Sequence, residues 1–118
     1  MSISTINHKG KKVVFIDYTH CKNENELLVV LYELRDVFKN SSERFLTLSD
    51  FTGAFGTRDF MKKANELGKE IFDSRTEKSA ALGITGIRKI LLQAYNSIMK
   101  NKLVPFDDKN EALDYLVN

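Results

Sequence analysis

Asp17 and Asp50 each close a short apolar run, VVFID and FLTLSD, and paired carboxylates are an arrangement with the makings of acid–base chemistry. Such a pair works when its surroundings push the two pKa values apart. Otherwise each aspartate is a strand-end residue that accepts turn amides. Thr52 would complete an enzymatic set of Asp17, Asp50 and Thr52. A nucleophilic triad needs a base, and the histidines are His8 in a turn and His20 beside Cys21. Side chains adjacent in an extended chain point apart, and two potential ligands fall short of the three or four that zinc takes. His20 and Cys21 therefore read as a solvated loop, and no metal or cofactor is expected. GITGIRK, Gly83 to Lys89, places Gly83, Thr85 and Gly86 with Arg88 and Lys89 at a strand-to-helix turn, where backbone amides can meet an anion. It has neither the dinucleotide-binding nor the P-loop spacing, and glycines at such a junction also serve simply to make the turn.

Most of what is distinctive converges on RFLTLSDFTGAFGT, Arg44 to Thr57. A buried strand from Arg44 to Ser49 runs into a glycine-containing polar turn, so Asp50, Phe51, Thr52 and Gly53 fall at the strand's carboxyl end, where open α/β sheets gather ligands. Phe51 and Phe55 flank glycines. Aromatic residues exposed on such a loop mark a contact surface, whereas a loop folded over the sheet end would bury them.

The elements that hold these residues follow from periodicity. Residues 2 to 7 and Val13 to Tyr18 flank a turn containing Gly10, which predicts an antiparallel hairpin with the first strand at the edge. Leu27, Leu31, Leu34 and Phe38 repeat at helical spacing, widened by Leu28 and Val30, after an Asn23/Glu26 capping box. A second helix opens at or before Thr57. Phe60, Ala64, Leu67 and Ile71 form its inner row, beside Met61, Gly68 and Phe72, and Gly68 reads as a point of close backbone approach to the sheet. Lys78 to Ile84 is a buried strand. A third helix from Thr85 or Gly86 turns Ile87, Ile90, Leu91, Ala94, Ile98 and Met99 inward. Leu103 to Phe106 is an edge or terminal strand because of Pro105, and Asp108 with Glu111 starts a last helix buried through Ala112, Leu113 and Leu116. This is an α/β chain: a mostly parallel sheet of about five strands, an antiparallel N-terminal edge hairpin, and four helices on its two faces.

Composition bounds the rest. With 118 residues, 42% of them hydrophobic and 29% charged, residues 1–118 fit a single domain. A net charge of +2, from 18 basic and 16 acidic residues, leaves no concentrated basic footprint for nucleic acid. MSISTINHKG lacks the apolar core of a secretory leader, and no run approaches a membrane span. With the lone Cys21 unable to form an internal disulfide, a cytoplasmic protein without an integral membrane segment is expected.

Taken together, DFTGA (Asp50 to Ala54), AALGITGIRK and the closing LVPFDDKNEALDYL in this element order resemble the SpoIIAA-like, STAS-type superfamily, and most of all its small STAS/SEC14-like domain proteins of unknown function. The resemblance covers almost the whole chain. Anti-sigma-factor antagonists of that superfamily carry a D-S-S-G turn whose second serine is phosphorylated. Carried over, it would place Asp50 on the aspartate, Phe51 in place of the first serine, Thr52 on the acceptor and Gly53 on the glycine. The leading expectation is a non-enzymatic regulatory domain that binds a protein partner, with homodimerisation possible, through Asp50, Phe51, Thr52, Gly53, Phe55, Gly83, Thr85 and Gly86. The SEC14-like side of the resemblance implies the alternative, a carrier of a small apolar ligand or lipid, which an apolar pocket would favour.

Overall fold

The computed structural model describes residues 2–118. Strands β1 (Ile3–His8) and β2 (Lys11–Asp17) form the expected antiparallel hairpin, closed by the pair His8 and Lys11. Its two connecting residues, Lys9 and Gly10, have φ of 50° and 82°, as the tight turns that match strand twist require. Helix α1 (Glu24–Lys39) begins at Asn23, whose side chain accepts the Glu26 amide, while the Glu26 carboxylate accepts the Lys22 amide. Strand β3 (Phe45–Asp50) follows, then helix α2 (Arg58–Leu67), which Thr57 caps by accepting the Phe60 amide. Helical backbone continues from α2 through a π turn, Gly68–Phe72, and a final turn, Asp73–Arg75. Strand β4 (Thr76–Leu82), helix α3 (Ile87–Ile98), strand β5 (Leu103–Phe106) and helix α4 (Lys109–Val117) complete the chain.

The sheet order is β1-β2-β3-β4-β5, with β2 to β5 parallel. This sequential order decides where the helices go. Right-handed crossovers that all step in one direction deliver their helices to one face, so α1, α2 and α3 share a face and α4 alone covers the other. Under the three helices lie Val14, Ile16, Leu27, Val30, Phe38, Phe45, Phe60 and Phe72. On the opposite face Val13, Leu46, Leu48, Ala80 and Leu82 meet Ala112, Leu113, Leu116 and Val117. The fully buried Ala80 and Ala112 are small enough for α4 to lie close to the strands. Pro105 sits on β5, the edge opposite β1, where a missing amide costs no sheet hydrogen bond.

Helix α4 is tied to the hairpin by Asp114, which accepts from His8 Nε2 at 2.7 Å and lies 2.9 Å from Lys9 Nζ. Hydrogen bonds from His8 and Lys9 hold its carboxyl below the usual carboxylate range. A pKa lower in the folded than in the unfolded chain gives a contribution that is complete at neutral pH and is lost as pH falls through the carboxylate range. The melting temperatures of wild type and Asp114→Asn should therefore differ slightly at pH 7 and converge below about pH 4; a constant gap down to low pH would show that charge is not the cause.

Strand β4 lies two residues upstream of the expected Lys78–Ile84, and two assignments of helix packing change. Gly68 does allow a close approach, but to α3 and its end rather than to the sheet: a Cβ there would lie 2.6 Å from Met99 Cε and 2.9 Å from the Tyr95 hydroxyl. The inner face of α3 is also different. Ile87, Ile90 and Ile98 are 64, 60 and 45% exposed and Ala94 is exposed, while Leu92, Met99 and, in part, Arg88, Leu91 and Tyr95 face inward. Apolar residues surround most of this helix, so periodicity alone does not select a side; the seating of Tyr95 and Met99 against Gly68 does.

Candidate functional site

Strands β2 and β3 end in the same three-residue device. Asp17 and Asp50 are register neighbours, and each is followed by an aromatic residue and a threonine: Asp17-Tyr18-Thr19 and Asp50-Phe51-Thr52. Asp17 Oδ1 accepts from the Thr19 amide at 2.8 Å and its hydroxyl at 2.5 Å. Asp50 Oδ1 accepts from the Thr52 amide at 3.0 Å and its hydroxyl at 2.7 Å. The twin turns bring the intervening rings together, Tyr18 over Phe51 with centroids 4.6 Å apart and planes at 11°. Burial pushes the Asp17 carboxyl up, but hydrogen bonds from Thr19, with His20 and Lys109 nearby, outweigh it and leave the group below its ordinary range. A carboxylate held ionised by its own turn is a strand-end acceptor, not a proton donor at neutral pH.

Phe51 is accordingly half-buried, stacked on Tyr18 and packed against the core, whereas Phe55 is 69% exposed. The turn thus divides the two aromatics that the sequence grouped together. Thr52 is exposed, its hydroxyl donated to Asp50, and it lies upstream of the helix start that Thr57 occupies. Gly53 turns the chain with φ of 75°.

GITGIRK closes over this loop. The Phe51 amide donates to the Leu82 carbonyl at 2.9 Å, and Gly83 sits with its Cα against the Thr52 backbone, leaving no room for a Cβ. The amides of Thr85, Arg88 and Lys89 are bonded to the carbonyls of Gly83, Thr85 and Gly86, so much of the expected anion cradle is spent within the turn. Arg88 instead folds back across the junction: Nη1 donates to the Ala54 carbonyl at 2.6 Å and Nη2 to the Thr85 hydroxyl at 2.9 Å. Asp50, Phe51, Thr52, Gly53, Phe55, Gly83, Thr85 and Gly86 therefore share the carboxyl end of the sheet.

Behind that junction is a cavity of about 130 Å³ between α2, α3 and the sheet. Its walls are Phe60, Met61, Ala64, Leu91, Leu92 and Tyr95, and Phe55, Gly56 and Arg88 stand with Phe51 and Ala54 toward the loop. Thr47, Ser49, Thr76 and Ser79 put hydroxyls on a largely apolar lining. Thr47 and Ser79 are paired across β3 and β4, and Ser49 follows on the same face. Burial pushes the Tyr95 phenol up to about 12, and burial likewise raises that of Tyr18, so both rings present protonated hydroxyls.

Sequence reasoning missed Tyr18 and the hydroxyl floor, and it placed Arg88 at the strand-to-helix turn without its reach to Ala54. Two signals were present: the repeated D-[YF]-T at strand ends, and the alternation of Thr47 and Ser49 with Leu46 and Leu48, which marks a strand with one apolar and one hydroxylated face. Cys21 also departs from its expected solvated loop. It is 5% exposed, and burial followed by Glu26, Asp17 and Glu33 raises its thiol above the ordinary value, which leaves it protonated and unreactive. His20 is exposed and lies 3.1 Å from the Ser2 hydroxyl through Nε2. Among the described residues no group of three or more His, Cys, Asp or Glu is placed to hold a metal ion, and no helix is long and apolar enough to cross a membrane.

Among solved structures the chain matches an uncharacterized protein from the DUF3478 family with a SpoIIAA-like fold, from Shewanella loihica PV-4. The TM-score is 0.70, over 97% of this chain and 91% of that one, at 17% sequence identity. The chain has a SpoIIAA-like fold. No family model matches the sequence, nor does any curated protein. At such identity the likeness extends to the backbone alone, so the cavity, the stacked rings and Arg88 of this SpoIIAA-like domain are read from its own side chains.

Proposed function

We propose that this SpoIIAA-like domain is a non-enzymatic binding module, and that it takes a small, largely apolar molecule into the cavity between α2, α3 and the sheet. The observation that carries this reading is the cavity itself: aromatic and aliphatic walls, a few convergent hydroxyls, and a position beside the carboxyl ends of the strands. The aspartates argue against catalysis, since both are engaged by the threonines of their own turns.

A second reading, a protein-binding surface, is favoured by a separate observation. Phe55, Ile87 and Ile90 are each more than half exposed, and Arg88 holds the loop of Phe55 to the first turn of α3. Phosphorylation of Thr52 would belong to this reading, since a phosphate beside Asp50 adds like charge near such a surface.

Native mass spectrometry of the purified protein, repeated after adding 1-octanol, tests both. Under the first reading the wild type carries a bound small molecule or takes up octanol as a monomer. Ala64→Phe, which projects a ring into the cavity from α2, should abolish uptake without lowering the melting temperature by more than a few degrees. Octanol uptake equal in both proteins would overturn the cavity reading, and a dimer that Phe55→Ser with Ile90→Ser dissociates would establish the second.

A further inference from the structure

The cavity is apolar but not electrically neutral. Arg88 is the charged residue on its lining, and no acidic side chain accompanies it there. Among the described residues Arg88 makes no ion pair. Its guanidinium gives one hydrogen bond to the Ala54 carbonyl and one to the Thr85 hydroxyl, and Nε is buried without a partner. A half-buried cation with an unsatisfied buried donor is costly unless something supplies an acceptor and a counter-charge. Among the described residues the partners of Arg88 are a carbonyl and a hydroxyl, with no carboxylate within ion-pair distance.

Resting on the cavity reading above, we infer that the ligand is an amphiphilic monocarboxylate: an anionic head at Arg88, beside the Ala54 carbonyl and the α3 turn, and an apolar tail along Phe60, Leu91 and Leu92 toward the hydroxyl floor. The fit is one of charge and size together. A carboxylate matches the planar fork of a guanidinium better than a point anion does. A space of about 130 Å³ holds about four waters at roughly 30 Å³ each, so it encloses part of one short chain and excludes a two-chain lipid. The mixed floor of Thr47, Ser49 and Ser79 tolerates a polar substituent along the tail without requiring one.

The test compares three ligands of one tail length, octanoate, 1-octanol and octylamine, by chemical-shift titration of the isotope-labelled protein at neutral pH. Octanoate should bind at least about tenfold more tightly than octanol, and octylamine least, the ratio expected of one charge-assisted contact in a desolvated site. Arg88→Met should bring octanoate to the octanol level measured on the same variant, so that the ratio between the two ligands disappears, and Arg88→Lys should retain part of the preference. If Arg88→Met does not fold, the order of the three ligands on wild type and the partial preference of Arg88→Lys decide the matter. Octanol binding as tightly as octanoate to the wild type, or a preference unchanged in Arg88→Met, would overturn the inference and leave the cavity reading intact. Failure of all three ligands to bind would overturn both.

Discussion

Gly83→Ala is expected to destabilise the fold by about 2–5 kcal/mol, lowering the melting temperature by roughly 10 °C or more. Two costs add. Gly83 has φ of 77°, a region that costs a residue with a Cβ about 1–2 kcal/mol. The new Cβ would also lie against the Thr52 amide nitrogen and 2.6 Å from its Cα and Oγ1. Those atoms have little freedom to retreat, because the Thr52 amide and hydroxyl are bonded to Asp50 and the preceding amide to the Leu82 carbonyl. Gly53→Ala separates the two costs: Gly53 has φ of 75° and nothing within 4 Å of its would-be Cβ, so it should lose only the backbone term. Chemical denaturation of both variants checks this, and equal losses would mean that the contact between the β3 and β4 loops contributes nothing.

Tyr18→Ala should cost a further-reaching 3–5 kcal/mol, about that of deleting a large aromatic side chain from a core. Tyr18 is 2% exposed, lies face to face with Phe51, and meets Phe60 edge-on at 5.7 Å and 82°. Its loss removes a cavity wall and the support of Phe51 together. Tyr18→Phe keeps the rings and should stay within about 1 kcal/mol of wild type. The stack itself is measured by a double-mutant cycle between Tyr18→Ala and Phe51→Ala, with an expected coupling of about 0.5–1.5 kcal/mol. Strict additivity would show that the twin turns place the rings together without gaining from their contact.

Much of the fold was legible because its signals are local. Asn23 with Glu26, Thr57 before Phe60, and Asp108 with Glu111 each cap a helix through a hydrogen bond spanning one turn of chain, and such bonds depend on neighbours in sequence alone. Four or more apolar positions at helical spacing placed the inner face of α1 correctly. The same reasoning misplaced the face of α3, because Ile87, Ile90, Leu91, Leu92, Ala94, Tyr95, Ile98 and Met99 leave no single apolar side to choose. It likewise assigned Gly68 to the sheet, since a glycine announces a close approach without naming what approaches.

The candidate site divides in the same way. Local composition places Asp50 at a strand end and Phe51, Thr52, Gly53, Phe55, Gly83, Thr85 and Gly86 in the loops that follow strands, since strand termini and turn glycines are short-range features. What those loops do to each other depends on how the strands pair. Parallel pairing in register sets Asp17 beside Asp50, and that pairing stacks Tyr18 on Phe51, buries one aromatic and leaves Phe55 in solvent. The contact of Gly83 with Thr52 and the reach of Arg88 to Ala54 join residues far apart in the chain, and so does the cavity they border. Its volume is what remains when helices of fixed length are laid over strands whose inward side chains, Thr47, Ser49 and Ser79, are too small to fill the space, a packing result that no local pattern encodes.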